Sequence, residues 1–142
     1  MLSINPYLNF PGTTEQAFAF YKSAFGGEFT VMQRFGDMPG KEELPEEIHN
    51  KIMHVALPIG NDVLMASDSV PGMGPPYSAG NNVSISINAE SEDEARRIFT
   101  ALSSGGEVTM PLEKTFWNAY FGMLTDKFGI HWMVNHDYQP KS

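Results

Sequence analysis

Apolar and polar residues alternate along residues 4–10, with Ile4, Leu8 and Phe10 on one side and Asn5, Tyr7 and Asn9 on the other, the period-two pattern of a half-buried strand. The spacing then changes to threes and fours: Ala17, Phe18, Phe20, Tyr21, Ala24 and Phe25 make the apolar stripe of a helix. Thr13 or Thr14 can cap that helix, Glu15 suits its first turn, and Gly26-Gly27 can stop it. Strand patterns follow over 28–35, 51–59 and 63–67, the last two joined by a hairpin at Gly60-Asn61-Asp62. The order is β-α-β-β-β.

The chain then repeats itself. Gly26-Gly27-Glu28-Phe29-Thr30 returns as Gly105-Gly106-Glu107-Val108-Thr109, and the same ungapped shift sets Phe20 on Phe99, Leu8 on Ile87 and Asn9 on Asn88. Residues 82–88 alternate like the first strand, 91–104 read as a helix opened by a Ser91 and Glu94 capping box, and 107–112, 118–125 and 130–135 read as strands. A second hairpin turns at Asp126-Lys127-Phe128-Gly129. The expected fold class is α+β: two tandem βαβββ modules forming a cupped mixed sheet with helices on its outer face. Module one covers 1–68, a Pro- and Gly-rich linker 69–81, module two 82–136 and a tail 137–142, all within a single domain of 142 residues. The acidic stretch 36–50, with Glu42, Glu43, Glu46 and Glu47, falls outside the repeat as a loop suited to a lid.

Sorting residues by alternation turns Asn5, Tyr7 and Asn9 away from the helix of module one, and Asn82, Ser84, Ser86 and Asn88 away from that of module two. His54 and Ala56 join the first set, while His131, Met133 and Asn135 join the second. Such a face lines a pocket with neutral hydrogen-bonding groups and two imidazoles, or simply meets water. His49 and His136 read as solvent-facing.

Charge narrows the partners. The net charge of -8, with nine scattered Lys and Arg residues, offers nothing to neutralise phosphates, so nucleic acid is not an expected partner. Cysteine is absent, which removes disulfides, thiolate metal sites and a Cys nucleophile. No basic leader or long apolar run appears, so no membrane partner is expected and the cytoplasm is the expected compartment.

The duplicated module resembles the vicinal oxygen chelate superfamily of glyoxalase I, extradiol dioxygenases and bleomycin-resistance proteins. The run 115–132, with Pro6-Tyr7-Leu8-Asn9-Phe10 and Met65-Ala66-Ser67-Asp68, is similar to its PhnB-like branch, labelled 3-demethylubiquinone-9 3-methyltransferase-like. The resemblance implies one divalent metal held by His, Gln or Glu from the first and last strands of each module. Matched positions here fall on Asn5, Asn82, near Met65 and on Met133, so neither a metal nor another cofactor is expected. No strand-to-helix glycine turn suits a methyl donor either.

The expected function is small-molecule binding in the cup by Asn5, Tyr7, Asn9, His54, Asn82, Ser84, His131, Met133 and Asn135, with Trp117 stacking on the ligand and Asn118 orienting it. No catalytic residue is assigned. One alternative is a divalent-metal-dependent lyase, isomerase or dioxygenase with a displaced metal site; another is a non-catalytic structural or interaction module. A homodimer is expected, for which Phe29, Val31, Phe35, Phe121 and Met123 supply apolar surface.

Overall fold

A computed structural model describes residues 2–138, and the chain divides into two compact units, Met1–Ser78 and Ala79–Ser142. The boundary lies within the segment 69–81, and the predicted tail lies outside the described residues from position 139 onward.

Unit one runs β1 (Tyr7–Phe10), α1 (Thr14–Phe25), β2 (Val31–Arg34), three short 3-10 turns (Phe35–Asp37, Lys41–Glu43, Glu46–Ile48), β3 (Ile52–Ile59) and β4 (Asp62–Asp68). Unit two runs β5 (Ile85–Asn88), α2 (Glu92–Ser103), β6 (Glu107–Lys114), β7 (Ala119–Thr125) and β8 (His131–Asp137). Each unit forms a four-stranded mixed sheet, in the orders β1-β4-β3-β2 and β5-β8-β7-β6, with only the first two strands of each order parallel. The α+β class and the duplication are therefore present.

Three strands start three residues later than the sequence expectation, and proline accounts for two of them. β1 begins at Tyr7 rather than at position 4, because Pro6 has no N–H to give the ladder; Ile4 is left 93% exposed instead of lying under the helix. β2 begins at Val31, which pairs with Ala56, so the residue opposite Phe29 is Pro58 and the ladder stops there. β5 begins at Ile85, opposite Trp132, the second residue of β8; Val83 is exposed and Asn82 and Ser84 lie off the strand.

Helix α1 buries Ala17, Phe18, Tyr21 and Ala24, while α2 buries Ala95, Ile98, Phe99 and Leu102. The matching burial sets Tyr21, not Phe20, against Phe99, an offset of 78 in the helices where the repeat Gly26-Gly27 to Gly105-Gly106 has 79. The two N-termini are held differently. Neither Thr13 nor Thr14 caps α1 through its side chain; the Thr14 N–H donates to Asp68 Oδ1 at 3.0 Å, and the Ile52 N–H to Asp68 Oδ2 at 2.8 Å. In α2 the cap is local: the Glu94 N–H donates to Ser91 Oγ at 3.0 Å, as expected, while the Glu94 carboxylate accepts at 3.0 Å from the Glu90 N–H instead of the Ser91 N–H that a full capping box would use.

The β3–β4 hairpin turns through Gly60 and Asn61, with Gly60 at φ +59° in the first central place, where glycine suits a type II′ turn. At the β7–β8 hairpin the Asp126 carboxylate accepts from the Phe128 and Ile130 N–H groups and from Trp132 Nε1. Phe35, expected on a dimer surface, is instead 8% exposed and belongs to the core.

Candidate functional site

Paired residues in adjacent strands project to one face, so the strand registers decide which side chains gather on the side of each sheet turned away from its helix. That far face in unit one carries a row of Tyr7, Met65, Ala56 and Val31, and beside it Asn9 with Ser67 and His54 with Gln33. In unit two the corresponding rows are Ser86, Met133, Met123 and Met110, then Asn88, Asn135, Phe121 and Glu113, flanked by His131, Thr125 and Glu107.

Tyr7 and His54 form the best-defined polar pair. Their rings stack at 5.6 Å between centroids with 17° between planes, and the Tyr7 hydroxyl lies 3.2 Å from His54 Nδ1. With the proton on Nε2, the hydroxyl donates to Nδ1 and the Nε2–H remains available to a ligand. Tyr7 is 46% exposed, so the pair is accessible from the far face. Beside it the Ser67 hydroxyl donates to Asn9 Oδ1 at 3.4 Å.

The other three histidines brace backbone. His131 donates from Nε2 to the Gly80 carbonyl at 3.1 Å and accepts from the Thr125 hydroxyl at Nδ1 at 2.9 Å, so both ring nitrogens are engaged. His49 Nε2 reaches the Lys41 and Leu44 carbonyls at 3.0 and 3.2 Å and ties the loop together. His136 Nδ1 donates to the Ala89 carbonyl at 2.9 Å. Neither His49 nor His136 is simply a solvent-facing group, contrary to the expectation from their places beside the acidic loop and near the tail.

The remaining expected residues divide. Asn135 stands on the far face of unit two and donates to Asn88 Oδ1 at 3.2 Å, with Met133 in the neighbouring row. Trp117 is 53% exposed and packs edge-on against far-face Phe121 at 5.9 Å, in contact with the nearly bare Phe116. Asn118 is a turn residue: at φ +66° it closes the Thr115–Asn118 turn, whose Thr115 hydroxyl accepts from the Ala119 N–H at 3.2 Å. Asn5 lies before β1 and spends its Oδ1 on the Val63 N–H at 3.0 Å; Asn82 and Ser84 are exposed before β5. Sequence alternation missed the methionine row and the pairing of His54 with Tyr7. Both follow from strand register, which a single sequence does not carry.

The metal implied by the resemblance can be tested against these donors. The first and closing strands set Tyr7 beside Met65 and Ser86 beside Met133, a phenol, a hydroxyl and two thioethers where imidazole or carboxylate would be needed for a divalent ion. Among the described residues no group of three or more His, Asp or Glu side chains stands together to hold an ion. These residues do not fit a zinc-class metal.

Electrostatic shifts lie away from this face. Arg34 makes a two-pronged ion pair with Glu15 at 2.9 and 2.6 Å, and these hydrogen bonds hold the Glu15 carboxyl below the usual carboxylate range. Arg34 also donates to the Asn50 carbonyl at 2.8 Å, joining β2, the first turn of α1 and the end of the loop 36–50. No described helix is long and apolar enough to cross a membrane.

Comparison with known proteins gives the fold its relatives. A family model described as 3-demethylubiquinone-9 3-methyltransferase matches residues 2–135. The crystal structure of protein PA1353 from Pseudomonas aeruginosa is 47% identical, covering 96% of this chain and 98% of that one at a TM-score of 0.86. The PhnB protein of Bacillus cereus is 25% identical over 95% of this chain and 99% of its own, at a TM-score of 0.77. A glyoxalase/bleomycin resistance protein/dioxygenase family enzyme from Burkholderia phytofirmans shares the fold at 14% identity and a TM-score of 0.57, covering 92% of this chain and 95% of that one.

Proposed function

The chain belongs to the 3-demethylubiquinone-9 3-methyltransferase family, in its PhnB-like branch on the glyoxalase/bleomycin-resistance fold, and from that premise we propose that it binds a small organic molecule without a divalent metal. The observation that carries this reading is the Tyr7–His54 pair on the far face of unit one, an accessible flat surface with a hydrogen-bonding edge. Asn9 and Ser67 beside it add amide and hydroxyl groups that orient a ligand, and Met65 adds an adaptable apolar contact. In unit two Trp117, Phe121, Asn135 and Met133 supply a similar mixture of flat, polar and apolar surface.

Methyl transfer is not part of this reading. Gly26-Gly27 and Gly105-Gly106 follow helices and precede strands, the reverse of the order in which a glycine turn cradles a nucleoside-bearing methyl donor. The protein works in the cytoplasm as a homodimer, to which exposed Phe116 of the β6–β7 turn and Val108 on β6 contribute contact surface.

A thermal-shift screen of small aromatic and cationic compounds, run in the presence of a chelator, tests the proposal, because a ligand that binds only the folded state raises the midpoint. Hits are expected to survive the chelator and to lose about tenfold in affinity in His54→Ala, the equivalent of about 1.4 kcal/mol. Hits that require an added divalent ion, or that bind Tyr7→Phe and His54→Ala as well as the parent, would overturn it.

A further inference from the structure

The donor set that excludes a zinc-class ion selects another kind, and we propose that unit two carries a thioether site for a soft monovalent ion, copper(I), formed by Met110, Met123 and Met133. The inference goes beyond the organic ligand proposed above and concerns a row of unit two that shares only Met133 with the residues named there. Met133 pairs with Met123 and Met123 with Met110, so three methionines stand side by side across β8, β7 and β6 on one face. Paired side chains in neighbouring strands leave their Cβ atoms about 5 Å apart, and each methionine has three rotatable bonds, so the outer two thioethers can fold inward over the middle one. Met110 is 44% exposed on an edge strand, which leaves the row open to an arriving ion.

Thioether sulfur prefers copper(I) over harder divalent ions. Two further features favour a cation at this place. Glu107 and Glu113 pair with Thr125 and Phe121, in the rows on either side of the methionines, and neither carboxylate is ion-paired with a described residue. His131, the nearest imidazole on this face, has both nitrogens committed, so no imidazole competes with the sulfurs. Unit one lacks the arrangement: Met65 stands between Tyr7 and Ala56.

Silver(I) nitrate, a soft ion that undergoes no redox change, is the probe, titrated in chloride-free buffer into protein whose methionine methyl groups carry carbon-13. One equivalent is expected to shift the Met110, Met123 and Met133 methyl signals together and to leave that of Met65 in place. Met123→Leu, close to volume-conserving, is expected to abolish the stoichiometric shift at Met110 and Met133; Met110→Leu, at the exposed edge, repeats the reading without touching packed residues. Shifts that spread without saturation over exposed methionines such as Met73, or a Met133 response that survives both variants, would overturn the site. Zinc chloride in a parallel titration is expected to move none of these signals. A zinc response at these three methyls overturns the soft-ion assignment, whereas zinc bound near Tyr7 and His54 contradicts the metal-free reading of the organic site and leaves this one standing.

Discussion

Unit one and unit two follow the same β-α-β-β-β course, yet each relies on a different buried carboxylate. In unit one Asp68, at the end of β4, reaches back to hold the start of α1 and the first residue of β3. In unit two α2 is capped locally by Ser91, and the buried acid is Asp126, which shapes the last hairpin and accepts from Trp132. A second contrast lies in the core. Gly122 occupies the place in β7 that Val55 has in β3, and a Cβ there would meet the Phe99 ring at 2.7 Å and Leu112 Cα at 2.9 Å. In unit two the Phe99 ring of α2 comes down onto Gly122, where unit one has Val55 at the corresponding strand position. A repeated topology therefore leaves capping and packing free to be solved separately in each copy.

The far faces diverge more than the cores. Unit one offers a stacked tyrosine and histidine, whereas unit two offers a row of three methionines beside Phe121 and Trp117. The two sites proposed above live on that difference.

Five substitutions sharpen the comparison. The largest effect belongs to the buried acids: Asp126→Ala should cost about 4 kcal/mol and Asp68→Ala about 3 kcal/mol, since three and two N–H donors respectively lose their acceptor. Both tryptophans lie in unit two, so urea unfolding followed by fluorescence reads Asp126→Ala directly, while hydrogen exchange along α1 reads Asp68→Ala. Equal loss of protection in both helices from either variant would break the claim of separate solutions. Next, Gly122→Ala should cost about 2 kcal/mol by overpacking against Phe99, with Phe99→Leu in the same chain recovering part of it; an unchanged urea midpoint would contradict the packing account. Ser91→Ala removes a local cap and should cost about 1 kcal/mol, clearly less than Asp68→Ala.

The smallest effect is electrostatic. Glu15→Gln should cost about 0.5 kcal/mol at neutral pH, because the Glu15–Arg34 pair is partly exposed. Arg34 lowers the folded-state value of Glu15, so its contribution is complete above the unfolded carboxylate value and vanishes as pH falls through the lowered folded one. Parent and variant stabilities should therefore converge in acid; a difference that persists there would contradict the pairing.

Much of this architecture is legible in the residues. The echo of Gly26-Gly27-Glu28 in Gly105-Gly106-Glu107 marks the duplication, and Ser91 with Glu94 announces its own cap, because these signals are local. The α1 cap is not legible in the same way: its acceptor, Asp68, lies 54 positions from Thr14 and meets it only after β4 has paired with β1. Alternation places His54 on the correct face but does not reveal Tyr7 as its partner. Register was also hidden by irregularities in β6, where shifts between Val108 and Met110 and between Met110 and Glu113 bring Met110 opposite Met123. Asn82 and Ser84 read as strand residues because apolar Val83 lies between them, yet the ladder with β8 begins only at Ile85, and Asn82 falls opposite Gly129, before β8 starts.

The most direct test of the central claim is calorimetric titration of chelator-stripped protein with zinc, nickel, manganese and ferrous ions at neutral pH. The phenol, hydroxyl, carboxamide and thioether groups of these faces predict no stoichiometric heat and no rise in melting midpoint with any of the four. One equivalent of any of them bound tightly, and lost in His54→Ala, would show that the chain retains the chelating chemistry this account denies it.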